Sequence, residues 1–161
     1  MIVKVADLSD AVRRVTFSES AHSVNAMLAA GTDDVEQRFE ASVDVEAEIY
    51  RHGTDVYFLG NLRSRVVNTC RRCAEEFEEP VAREFKFLIV KAGGGQDEEL
   101  EDDTGLDHYE GDEIDLSPIV AEQALLALEG LPLCSEECKG LCAGCGANLN
   151  TETCTCARSH D

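Results

Sequence analysis

The sequence predicts an α+β fold: an antiparallel β meander, one covering helix and a cysteine-rich C-terminal tail. Three observations carry that prediction. Within residues 39–91, apolar and charged residues alternate with a period of two, the mark of strands with one buried face. Residues 117–128 hold an apolar run with helix punctuation at both ends. All eight cysteines fall in two places, Cys70 with Cys73 and the other six from Cys134 to Cys156. The chain therefore divides into a β-rich core over residues 1–130 and a tail over 131–161.

The N-terminal third carries the weakest pattern. Residues 9–17 are compatible with a capped helix or with a strand, and residues 24–31 with a short helix closing at Gly31. The signal sharpens where Val43, Val45, Ala47 and Ile49 alternate with Asp44, Glu46 and Glu48. A strand over 56–59 follows, then Gly60-Asn61 as a turn, then a strand over 62–68. A fourth strand spans 81–91, with Phe85, Phe87 and Ile89 on one face. Four strands on short turns make a meander.

Residues 93–115 break the pattern, with eleven Asp or Glu between 97 and 115. Such a run repels itself, so it reads as a solvated acidic loop, removable with little loss of fold. An acidic docking arm is the sharper alternative. Order returns at Ser117, whose hydroxyl suits an N-cap, with Pro118 in the first helical position. The helix runs over 118–128, its leucines expected against the open face of the meander, with Gly130 and Pro132 ending it.

Hydrophobic residues make up 43% of the chain, enough for one core, and no stretch is apolar enough to span a bilayer. The first residues lack the apolar run of a signal peptide, so the expected location is cytoplasmic. The 33 acidic and 14 basic side chains give a formal charge of −19. That charge opposes an all-over grip on nucleic acid. Arg63, Arg65, Arg71, Arg72, Arg83 and Lys139 still gather in sequence around the cysteines. They form one basic face or simply pair with carboxylates. No Ser–His–Asp spacing or phosphate loop is present, and the four histidines are scattered, so no enzyme is expected.

The cysteines fall into pairs: Cys70 with Cys73, Cys134 with Cys138, Cys142 with Cys145, and Cys154 with Cys156. Two pairs complete a tetrahedral sulfur site, so eight thiols fit two metal ions. Zinc leads over iron because no partner for electron transfer is evident. One grouping joins Cys70, Cys73, Cys134 and Cys138, leaving Cys142, Cys145, Cys154 and Cys156 for the second ion. The competing grouping collects Cys134, Cys138, Cys142 and Cys145. The first is preferred because every pair finds a partner. Cys142-Ala-Gly-Cys145-Gly is the most telling piece, since such a turn directs backbone N–H groups at sulfur.

The run LPLCSEECKGLCAGCGANLNTETCTC (131–156), with CRRCAEEFEEPV (70–81) upstream, resembles the YceD family of large ribosomal RNA subunit accumulation proteins. The order of parts between them, an acidic spacer and then DLSPIVAEQALLALEGLPL, also matches. The resemblance covers about residues 40–156. It implies a cytoplasmic, non-catalytic role in ribosome biogenesis, with plastid relatives. It also implies one site shared across the family at Cys70, Cys73, Cys134 and Cys138, some relatives having His at the position of Cys134. Relatives continue past the last cysteines with an Asp-Pro-Arg-type apolar segment, whose contacts are expected to be missing here. The implied partners are ribosomal precursor particles, met directly or through a basic ribosomal protein. Arg71 and Arg72, between two cysteines, are the expected contacts to partner or RNA. The alternative function is a redox-responsive zinc protein or a small iron electron carrier.

Overall fold

The computed structural model describes residues 1–31, 37–93, 104–128 and 130–156. In chain order the elements are β1 (Ile2–Lys4), β2 (Arg13–Glu19), α1 (Ala21–Gly31), β3 (Gln37–Phe39), β4 (Val43–His52) and β5 (Asp55–Thr69). They continue as β6 (Glu76–Lys91), β7 (Gly105–Tyr109), β8 (Glu113–Asp115) and α2 (Ser117–Leu126). The result is a mixed α/β protein, mostly sheet, with two helices among the described residues. No helix among them is long and apolar enough to cross a membrane.

The predicted alternation holds at the centre. β4, β5 and β6 pair antiparallel, with Ile49 opposite Phe58 and Phe58 opposite Phe87. Val45, Ile49, Val56, Phe58, Leu62, Phe85 and Ile89 share one buried core. Residues 13–19 prove to be a strand, β2, which pairs with β4. Here Val15 is buried among exposed neighbours, a strand period that nine residues of sequence could not separate from a helix turn.

Four expectations need correction. Gly60-Asn61 is no turn, because β5 runs unbroken through it and the meander has three long strands where four were expected. Glycine stands there because β4 comes too close for a side chain. A Cβ on Gly60 would lie 2.6 Å from the Ala47 Cβ and 2.5 Å from the Glu46 carbonyl oxygen. Gly60→Ala is expected to cost about 1–3 kcal/mol by overpacking, read as a lower melting temperature with metal content unchanged.

The sheet is also not wholly antiparallel. β7 adds to β6 in parallel, with Leu106 beside Leu88. It lies within the segment expected to be a solvated loop. Residues 94–103 of that segment lie outside the described residues. Its second half buries Tyr109 and Ile114, and the Tyr109 hydroxyl donates to the Thr54 carbonyl at 2.9 Å. β8 pairs with β1, Ile114 opposite Val3. Removing residues 97–115 would therefore strip core side chains. Carboxylates dominate the segment's composition, but apolar residues placed among them decide its fold.

The last correction concerns α2. The Ser117 hydroxyl does not cap the helix. It donates to the Glu19 carboxylate at 2.8 Å, while the Asp115 carboxylate accepts from the Ser117 N–H at 3.0 Å. Ile119, Val120, Ala121 and Ala124 are buried, Leu125 and Leu128 pack against the same core, and Leu126 is exposed. Small and β-branched residues fit the close approach to α1, β2 and β6.

This frame places the cysteines. β4 pairs with β5 only as far as Arg63, and β3 then takes over the same edge with Phe39 opposite Val66. The β5–β6 ribbon ends at the Cys70–Cys73 turn. There the Cys70 N–H donates to the Glu75 carbonyl, the Ala74 N–H donates to the Cys70 carbonyl, and Ala74 has φ 58°.

Candidate metal centres

The tail folds back onto that turn along its backbone. The Arg71 N–H donates to the Pro132 carbonyl at 3.1 Å, and the Leu141 N–H to the Arg72 carbonyl at 3.0 Å. Gly140 lies at φ +73° between them, where a Cβ would sit 2.9 Å from the Arg72 carbonyl oxygen. Cys134 and Cys138 are thereby brought to Cys70 and Cys73. The sulfurs of Cys70 and Cys138 are 3.8 Å apart, and those of Cys73 and Cys134 3.7 Å. Cys70, Cys73 and Cys138 are buried, with Phe77 and Leu133 packed around them.

Cys142, Cys145, Cys154 and Cys156 form a second quartet. Its separations include 3.7 Å from Cys145 to Cys154 and 3.9 Å from Cys142 to Cys156. The Gly146 N–H donates to the Cys142 carbonyl at 2.8 Å, and Gly146 takes φ +75°. The Gly144 N–H points at the Cys142 sulfur at 3.4 Å, as the CxxCG spacing predicts. Gly144 also lies close to the Cys156 sulfur, 3.1 Å from where a Cβ would stand. This quartet is the more open one: Cys145 is exposed, and Cys154 and Cys156 are partly so.

Within each quartet all four sulfurs lie within 4.8 Å of one another. A disulfide would bring two sulfurs to about 2.05 Å, and all eight cysteines are free. A tetrahedron with metal–sulfur bonds of about 2.3 Å has edges of about 3.8 Å, matched by the four separations above, while Cys142 and Cys154 stand closer at 3.2 Å. The two quartets therefore fit a metal ion each. The structure brings the cysteines together in the first of the two groupings weighed from sequence, and Cys142 and Cys145 stand apart from Cys134 and Cys138.

The electrostatics point the same way. Burial opposes ionisation of Cys70, but N–H groups of Cys134, Cys73 and Arg72 aimed at its sulfur bring its pKa down to about 6. The Cys145 N–H and the Cys154 thiol, with the Gly144 N–H, bring Cys142 to about 6 as well. Their neighbours bear the cost. Cys134 is pushed up to about 12, first by its hydrogen bond to Cys138, and Cys156 to about 12, first by Cys145. Four touching thiolates repel one another, and a divalent cation at their centre removes that conflict.

Arg72 is exposed, but its guanidinium is also engaged. Its Nη1 donates to the carbonyls of Glu136 at 2.9 Å and Cys138 at 3.1 Å, so the guanidinium laces the tail to the turn. Arg83 lies under α2, its Nε donating to Gln123 Oε1 at 2.8 Å. The six basic residues thus do not make one face: Arg83 stands opposite Leu62 in the β5–β6 ladder, on the other side of the sheet from Arg63 and Arg65. Arg72→Ala is expected to loosen the tail by about 1–3 kcal/mol, seen as faster metal loss to a chelator with the sheet intact.

Sequence reasoning missed Asn150. Its Nδ2 donates to the Cys138 sulfur at 3.3 Å, and this is the leading cause of the lowered pKa of Cys138. The available signal was a pair of asparagines, Asn148 and Asn150, in a turn between two cysteine pairs, where side-chain donors commonly meet sulfur.

The model of the family described as large ribosomal RNA subunit accumulation protein YceD matches residues 58–161, which include all eight cysteines. The chain belongs to the YceD family. Among YceD relatives, it is 28% identical to the chloroplastic YCED homolog 1 of Arabidopsis thaliana over 90% of this chain and 53% of that protein. It is 27% identical to the corresponding protein of Zea mays, over 84% of this chain and 56% of that one. Both are named large ribosomal RNA subunit accumulation proteins. An uncharacterised protein of Mycobacterium leprae is 24% identical over 81% of this chain and 59% of its own length. The chain thus spans about half the length of the curated relatives it matches. No solved structure matches it.

Proposed function

We propose that this protein is a non-catalytic, zinc-stabilised factor that supports accumulation of the large-subunit ribosomal RNA. The observation that carries this reading is the family match, which spans both cysteine quartets and the sheet ribbon that holds the first. Zinc suits two all-sulfur quartets without a redox role, because it prefers tetrahedral thiolate ligation and does not change oxidation state. Zinc would be held by Cys70, Cys73, Cys134 and Cys138, and by Cys142, Cys145, Cys154 and Cys156. Its chemistry there is structural, fixing the tail against the β5–β6 turn.

The partner is a ribosomal precursor particle in the cytoplasm, met directly or through a basic ribosomal protein. A formal charge of −19 favours a basic protein surface over bare RNA as the main contact. Arg71, at the tip of the turn beside Arg72, is the remaining candidate contact. The test is co-sedimentation of tagged protein with ribosomal precursors, together with the ratio of large- to small-subunit ribosomal RNA after depletion. Association is expected to track large-subunit precursors, to weaken as salt rises, and to fall several-fold in Arg71→Ala with metal content unchanged. Unaltered rRNA ratios on depletion would overturn the reading. A coloured, iron-containing protein would favour the electron-carrier alternative.

A further inference from the structure

Asn150 lies between Cys145 and Cys154, so by sequence it belongs to the second quartet, yet its side chain serves the first. Nδ2 donates to the Cys138 sulfur at 3.3 Å, and Oδ1 accepts from the Lys139 N–H at 2.8 Å. The loop that presents it is held by contacts within the tail and by one exposed side-chain bond to the β5–β6 turn, from Asn148 Nδ2 to Glu75 Oε1 at 3.4 Å. The Leu149 N–H donates to the Gly140 carbonyl at 2.9 Å, the Cys142 N–H to the Ala147 carbonyl at 2.8 Å, and Leu141 and Asn148 form a single bridge. Asn148 Oδ1 accepts from the Asn150 N–H at 3.1 Å and from its Nδ2 at 2.9 Å. None of these loop residues joins the main core. What closes the loop at both ends is the second quartet, with Cys142 and Cys145 before it and Cys154 and Cys156 after.

We propose that Asn150 is a positioning residue that couples the two metal centres: an ion shared by Cys142, Cys145, Cys154 and Cys156 seats the Asn150 amide against Cys138 and so tightens metal binding at Cys70, Cys73, Cys134 and Cys138. This inference rests on the reading that both quartets hold metal. An N–H donor to a ligating sulfur orients it and draws charge from it, and loss of such a partner typically weakens metal binding about 10–100-fold. Coupling is reciprocal, so the first ion strengthens the second by the same factor. Because the second quartet is the solvent-open one, its loading sets how firmly the buried anchor holds the tail.

The test uses the full chain loaded with cadmium, whose two NMR signals are assigned by their separate loss in Cys73→Ser and Cys145→Ser. Affinities follow from competition with EDTA. Asn150→Ala is expected to keep two ions at saturation and an unchanged circular dichroism spectrum. It should shift the first-quartet signal and weaken that quartet about tenfold, while Asn150→Gln restores part of the loss. Cys145→Ser should weaken the first quartet by a similar factor, and adding Asn150→Ala to it should change nothing further, because the amide is already unseated. An unchanged first quartet in Asn150→Ala, or effects that multiply in the double variant, would overturn the coupling. Fewer than two ions in the unaltered chain would overturn the metal reading itself, whatever Asn150 does.

Discussion

Replacing Cys73 with Ser is expected to cost the chain one metal ion and to detach the tail from the sheet. Structural zinc contributes about 10–16 kcal/mol of apparent binding free energy in small zinc modules, far more than the other contacts here can replace. The apolar support of the first quartet is slight: among the described residues, Phe77 and Leu133 pack on its buried cysteines. Without the ion, the backbone bonds from Arg71 to Pro132 and from Leu141 to Arg72 have nothing to hold them against chain entropy. The end of the β5–β6 ribbon should fray with them, since Ala74 sits at φ 58° in a turn braced by Cys70 and Cys73. Metal analysis should give one ion per chain, and limited proteolysis should cut between residues 131 and 141, ahead of the second quartet. A variant that keeps both ions would show that Cys73 is no ligand.

Cys145→Ser should also lose one ion, but a different one, with disorder confined to residues 142–156 and the sheet melting as before. The reason is the separation of the two apolar clusters. The main core draws on β1 to α2 and its surroundings as far as Leu128, and no described residue beyond that point belongs to it. If both variants lost the same ion, the grouping into two quartets would be wrong. Acid should act on both centres with one sign. Thiolates bind metal and thiols do not, so falling pH returns protons to the sulfurs, first to Cys134 and Cys156, whose pKa values are pushed up to about 12 by their neighbours. Affinity is therefore lost on acidification and never gained, which a chelator titration at several pH values would measure.

Much of this protein was legible in sequence because the signals were local. The strand at Val43 to Ile49 alternates so cleanly that its buried face follows from the pleat alone. Cysteine pairs two to four residues apart announce their own chemistry, and an even number of pairs restricts how they share ions. Three features resisted for one reason: each depends on what comes near from elsewhere. Gly60 reads as a turn until β4 is laid beside it. The acidic segment reads as solvent-facing until Tyr109 and Ile114 find the core. Ser117 reads as an N-cap until the Glu19 carboxylate comes within reach of its hydroxyl.

Periodicity and spacing are properties of neighbouring positions, so the chain alone revealed the buried face of its central strands, the eight metal-type cysteines and the family. Only the tertiary structure decided which pairs of cysteines share a site. Cys73 and Cys134 are 61 positions apart, and no local rule joins them. They meet because a strand of 15 residues, β5, carries one pair beyond the core to where the tail returns with the other. Asn150 follows the same logic: its neighbours in sequence place it with one quartet, and the return of the chain gives its amide to the other.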